Sequence, residues 1–189
     1  MAVSGRVGVV DANVLYSIEL TDLFLTFAAH RLVRVHWSPT ILDEVCRNLA
    51  KRADLSPDAI AYRIDRMNRA VPGALDEAPE ALVAAMPVNE HDRHVLALAV
   101  HVEADTIVTF NLRDFPASAC EPHGVEAVDP DSFAVAVAES DPSRAHAALS
   151  DIARRRTRPP MTVHELLDRL ESVLPNFVSQ VREGLPDPA

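Results

Sequence analysis

The amino-acid sequence predicts an α/β fold of three layers, with helices on both faces of a mostly parallel central sheet, followed by a C-terminal helical extension. Three observations predict it. Short β-branched runs alternate with amphipathic stretches over roughly the first 130 residues. The first run, Val7 to Val10, enters an acidic residue at once, as a buried parallel strand does at its carboxyl end. From Pro130 onward only helix signals remain.

The elements follow in order. After the strand at 7–10, Val14, Leu15, Ile18, Leu23, Phe24 and Phe27 recur at intervals that suit one or two amphipathic helices, and Leu32 to Trp37 supplies a second strand. Ser38 and Pro39 open a helix over 39–53, with Ile41, Leu42, Val45, Leu49 and Ala53 on one stripe. Ser56 is an N-cap with Pro57 behind it, and this helix runs to Pro72 with Ile60, Ile64, Met67 and Val71 inward. After a segment rich in Ala and Pro, Asn89 caps a helix over 90–103, Asp105 to Phe110 gives a third strand, and Val125 to Val128 a weaker fourth. Asp129 before Pro130, Asp141 before Pro142, and Thr162 with Glu165 mark three further helix starts. The change of character places a boundary near residue 135, giving a first unit at 1–135 and a helical extension at 136–189. The RRRTRPP run at 154–160 interrupts the extension and reads as a solvated linker, while Leu166, Leu167, Leu170, Val173 and Leu174 read as packing residues.

A chain of 189 residues with 48% hydrophobic and 24% charged residues buries a sizeable core and is not disordered throughout. No apolar run reaches the roughly 20 residues of a membrane span, and an acidic residue arrives too early for a signal peptide, so the cytoplasm is the expected compartment. Cys46 and Cys120 have no metal or redox spacing and read as packed thiols. The net charge of −10 argues against wrapping a long nucleic-acid duplex, because that affinity comes from basic surface.

Ligands of open parallel sheets bind at the carboxyl ends of the strands, and here those ends deliver acids. The first strand delivers Asp11 and then Asn13; the third delivers Asn111 and Asp114. Asp11 would also serve as a helix N-cap. Asp92 points within about 20° of the apolar stripe of Val95, Leu96, Ala99 and Val102, so its carboxylate faces the core side and needs a cap, an arginine or a cation. On the second helix Asp43 and Glu44 flank the stripe at similar angles, and periodicity does not choose between them. Several carboxylates brought to one crevice repel each other unless a divalent cation lies between them, and oxygen-only ligands suit Mg²⁺ or Mn²⁺. Metal-assisted phosphodiester cleavage is the natural chemistry of such a site. His91 and His94 bracket Asp92 at a spacing that could share a helical face, but a zinc site lacks H-E-x-x-H spacing and cysteine support.

VVDANVL, SPTILDEV, NEHDRHVLALAV and IVTFNLRDF resemble, in order and spacing, the four acidic motifs of PIN-domain nucleases, over roughly residues 5–135. Many bacterial members are VapC-type toxins, Mg²⁺-dependent endoribonucleases that cut structured RNA at exposed single-stranded loops. The resemblance implies a PIN-like fold, with Asp11 and Asp92 as principal metal ligands, Asp114 completing the site and Glu44, rather than Asp43, acting directly or through water. It implies that Asn13 and Asn111 orient carboxylates or water, with Thr109 a lesser candidate, and that a metal-activated water attacks the RNA phosphate to leave 5′-phosphate and 3′-hydroxyl ends. Arg113, Arg47, Lys51 and Arg52 are candidate phosphate contacts. The resemblance further implies a small antitoxin protein as partner and homodimerisation, and the extension is similar to the C-terminal helical segment of some longer VapC-type proteins.

Two other readings compete. A haloacid-dehalogenase-like phosphohydrolase also has an Asp after its first strand, but residue 13 is Asn where that family has its acid/base Asp, and Lys51 is the only lysine. A non-catalytic PIN-like module that binds RNA or protein is the other, and the presence of all four acids counts against it.

Overall fold

Four strands, β1 (Arg6–Val10), β2 (Val33–His36), β3 (Thr106–Val108) and β4 (Glu126–Val128), form a sheet in the order β2-β1-β3-β4, and every pairing is parallel. This is a computed structural model and it describes residues 5–184. Residues 1–4, part of the opening stretch read against a signal peptide, and 185–189 lie outside the described residues. Val9, Val10, Ile107 and Val108 are fully buried, which fits central parallel strands covered on both faces. Because parallel crossovers are right-handed, the step from β1 out to β2 and the steps back across to β3 and β4 place their helices on opposite faces.

The first unit carries α1 (Ala12–Leu15), α2 (Ile18–Ala29), α3 (Pro39–Leu49), α4 (Pro57–Ala70), α5 (Glu80–Ala85), α6 (Arg93–His101) and α7 (Ala117–Cys120). Ser17, Ser38 and Ser56 each accept a hydrogen bond from the backbone N–H three residues on, the N-cap contact that fixes where α2, α3 and α4 begin. Three expected boundaries need correction. The helix predicted to reach residue 53 ends at Leu49, and Ala53 is exposed. The helix predicted from residue 90 begins at Arg93: Asn89 accepts from the His91 N–H within a turn, and Asp92 occupies the cap position. It also stops before Glu103, which takes a left-handed φ of 52°, a stop that no glycine announces. The short helices α5 and α7 carry too few residues for their periodicity to register.

The C-terminal helices are α8 (Pro130–Ser140), α9 (Pro142–Arg155), α10 (Val163–Leu170) and α11 (Pro175–Glu183), and α8 runs through residue 135 without a break. Phe133 of α8 stacks edge-on against Phe24 of α2 at 5.5 Å, and Phe177 of α11 against Phe27 at 6.0 Å. Phe133 also lies over β1, where a Cβ on Gly8 would stand 3.0 Å from its ring, so the sheet leaves room for an aromatic by having no side chain there. Asp131, buried in α8, accepts from the backbone N–H groups of Asn176 and Phe177 and from the Asn176 amide, holding the first turn of α11. The arginine run is not wholly the solvated linker the sequence suggests: Arg155 donates to Asp22 Oδ1 at 2.9 Å and Thr26 Oγ1 at 2.8 Å, Arg156 pairs with Asp22 Oδ2, and Arg154 with Asp151. Leu166, Leu167, Leu170 and Leu174 are buried as expected, whereas Val173 is exposed. Among the described residues no helix is long and apolar enough to cross a membrane.

Candidate active site

The strand order reverses at β1, since β2 lies on one side and β3 on the other, so the carboxyl ends of β1 and β3 frame a crevice. Asp11 leaves β1 at that point and caps α1, Oδ1 accepting from the Ala12 N–H at 2.6 Å. Its Oδ2 accepts from the Asn13 side-chain amide and from the Thr109 hydroxyl, both at 2.7 Å. A carboxylate has about four acceptor positions, so three are engaged and one, on Oδ1, is open.

Thr109, just past β3, is completely buried and ties this arrangement together. Its hydroxyl donates to Asp11 and accepts from the Asn13 amide at 2.9 Å and from the Asn111 N–H at 3.0 Å, so one donor and two acceptor positions are all filled. Asn13 completes the circle by accepting from the Phe110 N–H at 3.1 Å. The loop after β3 is therefore registered on Asp11 by three hydrogen bonds between residues 11–13 and 109–111. The sequence marks Thr109 only as a strand-end position, and its weight comes from partners 96 and 98 positions away. Asn111 itself is exposed, and among the described residues its side chain makes no hydrogen bond, so its link to the site runs through its backbone.

The other predicted acids lie along the same crevice, near enough for their charges to act on Asp92. Asp92, at the head of α6, makes no capping hydrogen bond and leaves its carboxylate free. Burial raises its pKa above the ordinary aspartate value, the charges of Asp114 and Asp11 raise it further, His94 opposes them, and Glu44 adds to the rise. Asp11 is also raised, chiefly by burial, against the downward pull of its Thr109 and Ala12 hydrogen bonds, with the Glu44 charge adding and His94 opposing. Asp92 thus lies in the fields of Asp11, Glu44 and Asp114, and Asp11 in that of Glu44, with Asp114 at the end of a 3₁₀ turn, Leu112–Asp114. On α3, Glu44 is half-buried and Asp43 exposed. His94 is half-buried, and its Nε2 stands 3.2 Å from Glu44 Oε1 and joins α3 to α6. No periodicity points to that partner; only the position of His94 two residues after Asp92 hints at it.

The donor set suits a hard divalent cation: four carboxylates in one crevice, two with raised pKa values, and an open lone pair on Asp11. Among the described residues no three His, Cys, Asp or Glu side chains close on a common point. His91 is exposed in the turn before α6 and does not share a helical face with His94. Of the cationic candidates, Arg52 is paired with Asp54 at 2.7 Å, Lys51 donates to Asn48, and Arg47 reaches Glu44 at 3.7 Å. Arg113 is exposed and, among the described residues, has no ion pair.

Residues 130–183 match the family described as VapC50 C-terminal domain. The chain is 37% identical over 105 residues to a protein of Mycobacterium tuberculosis (strain ATCC 25618 / H37Rv) described as "Putative ribonuclease VapC50", an alignment covering 56% of this chain and 62% of that relative's length. No solved structure matches with significance. Residues 8–113 match the family described as PIN domain, a span that runs from within β1 past β3 and holds Asp11, Glu44 and Asp92, and the chain belongs to that family.

Proposed function

We propose that the protein is a metal-dependent endoribonuclease that hydrolyses RNA phosphodiester bonds, and that it is the toxin of a toxin–antitoxin module. The observation that carries this reading is the meeting of acids from two strand ends, Asp11 and Asp114, with Glu44 of α3 and Asp92 of α6, where burial and neighbouring negative charge disfavour the charged forms of Asp11 and Asp92. A compensating cation relieves that repulsion, and Mg²⁺ or Mn²⁺ is the class the oxygen donors suit. The name of the M. tuberculosis relative lends the ribonuclease reading support.

The chain's own residues have distinct tasks in this reading. Asp11, fixed by three hydrogen bonds, offers one lone pair in a set direction. Asp92 and Asp114 face it with their charges, and His94 holds Glu44 toward the same crevice. Asn13 and Thr109 keep the Asp11 carboxylate from turning. Arg113 supplies a cation for an RNA phosphate beside the acids. When bound, a divalent ion supplies acidification of an attacking water and stabilisation of charge on the departing oxygen.

The remaining parts of the proposal are an RNA with single-stranded or loop regions as substrate, a cognate antitoxin protein as inhibitor, a homodimer as the assembled state and the cytoplasm as the location. The division into a nuclease unit at 1–135 and an extension at 136–189 stands in the same way, and the family match beginning at residue 130 favours an edge a few residues earlier. No observation favours the phosphohydrolase reading, for Lys51 is engaged with Asn48 on the exposed end of α3.

The test is cleavage of total RNA by purified protein with Mg²⁺ or Mn²⁺, with EDTA and Asp92→Asn controls and sequencing of the product ends. Discrete cuts that need the metal and vanish in the variant are expected. Folded, inhibitor-free protein that cuts no RNA in either metal would refute the reading.

A further inference from the structure

Of the six phenylalanines, Phe24, Phe27, Phe115, Phe133 and Phe177 are buried, and Phe110 is 47% exposed. Leu112, two residues on, is 42% exposed. Both lie in the turn that leaves β3, between the buried Thr109 and the buried Phe115. Core packing does not hold this apolar pair in water. Hydrogen bonds hold it: the Phe110 N–H donates to Asn13 Oδ1, and the next N–H, of Asn111, donates to Thr109 Oγ1. The network that seats Asp11 therefore also holds the backbone of this exposed aromatic residue, in the turn that leads on to Asp114.

That placement answers a physical difficulty. A crevice of four carboxylates in a chain of net charge −10 repels a phosphodiester backbone, so the acids do not supply affinity for it. A nucleobase offers an uncharged π face, and stacking on an aromatic side chain is insensitive to the surrounding negative charge. An unpaired base has such a face free; a base in a duplex does not. Arg113 follows in the same turn, exposed, and suits the adjoining phosphate.

We propose that Phe110 is a nucleobase platform of the active site: an unpaired base of the RNA stacks on its ring, Leu112 adds apolar surface along the same turn, and the stacked base sets which phosphate faces the acids. This rests on the ribonuclease reading above. Its chemical requirement is a single-stranded nucleotide next to the scissile bond, with identity of the base secondary to its being unstacked.

The experiment measures fluorescence anisotropy of a labelled mixed-sequence single-stranded RNA in EDTA, where no cleavage intervenes, against wild type, Phe110→Ala, Phe110→Trp and Tyr62→Ala. A second RNA of equal length carries abasic ribose throughout. Phe110→Ala weakens binding of the base-bearing RNA on the order of 10- to 100-fold. Phe110→Trp retains or tightens it, and Tyr62→Ala, an exposed aromatic on α4, leaves it unchanged. On the abasic RNA, Phe110→Ala and wild type bind alike. Equal affinity of Phe110→Ala and wild type for the base-bearing RNA overturns the proposal, as does an equal loss on the abasic RNA, which would mark a change in the loop. Loss of binding to a protein partner, with RNA binding and cleavage intact, would assign the ring to a protein interface and overturn it as well. A wild type that neither binds nor cuts RNA would remove the ribonuclease reading itself.

Discussion

Replacing Thr109 by valine keeps the shape of the side chain and removes its hydroxyl, so it measures the hydrogen-bond network alone. The hydroxyl makes three bonds. The one to the Asp11 carboxylate is worth roughly 1.5–3 kcal/mol and the neutral one from Asn13 roughly 0.5–1.5 kcal/mol. The third donor, the Asn111 N–H, sits at an exposed residue where water can replace the bond. The expected loss is therefore about 2–4.5 kcal/mol, which in a chain of this size lowers Tm by roughly 5–15 °C. Thr109→Ser retains the hydroxyl and gives up one methyl group, about 1 kcal/mol and a few degrees. Thermal melts followed by circular dichroism in EDTA make the comparison. The Thr109 hydrogen bond also holds the Asp11 carboxyl down, so valine drives that pKa further up and moves the acid limb of RNA cleavage to higher pH, while serine leaves it in place. A valine variant melting within about 2 °C of the serine variant would refute the reasoning that this hydroxyl seats Asp11.

Asp92→Asn is expected to abolish cleavage while raising Tm at pH 7 in EDTA. The folded-state pKa of Asp92 lies above its unfolded value, so its contribution to stability is complete below the unfolded pKa and is lost as pH rises through the folded one; asparagine removes that loss without sacrificing a cap bond, and the gain should vanish below about pH 4. Equal melting of the variant and wild type at pH 7 would contradict the repulsion inferred here. Mn²⁺ titrated into wild type should raise Tm, and the rise should be much smaller in Asp92→Asn, as differential scanning fluorimetry would show. Asp131→Ala strips one buried and two partly buried hydrogen bonds from the start of α11 and should cost about 2–4 kcal/mol in urea denaturation. Asp22→Ala breaks the partly exposed pairs to Arg155 and Arg156 and should cost about 1 kcal/mol or less, falling with added salt; a larger effect than that of Asp131→Ala would reverse the ranking proposed for these two anchors.

Much of the site was legible because it depends on local rules. A β-branched run that ends in Asp11 marks a strand terminus, and the angular position of Asp92 on its apolar stripe marks a carboxylate turned inward. Periodicity left Asp43 and Glu44 equivalent, since both flank the stripe, and the structure separates them by exposure and by the His94 contact from another helix. What stayed hidden involves partners remote in the chain. Thr109 looks like any buried strand residue until Asn13 and Asp11 are beside it. Arg155 and Arg156 read as linker charges because Asp22 lies more than 130 positions earlier. The early stop of α3 and the late start of α6 escaped for a different reason: favourable side chains extend past both ends, and the local turn overrides them.

The aromatic contacts between α2 and the C-terminal helices also bear on synthesis. Phe24 and Phe27 meet Phe133 and Phe177, partners more than a hundred residues downstream. On the ribosome the inner face of α2 stays uncovered until those later residues emerge, which at ordinary elongation rates takes several seconds or more. During that interval the strand ends and acids of the early chain exist without the layer that closes over Gly8. The order in which the chain appears thus makes the aromatic layer over β1 and α2 the last part of the core to be completed.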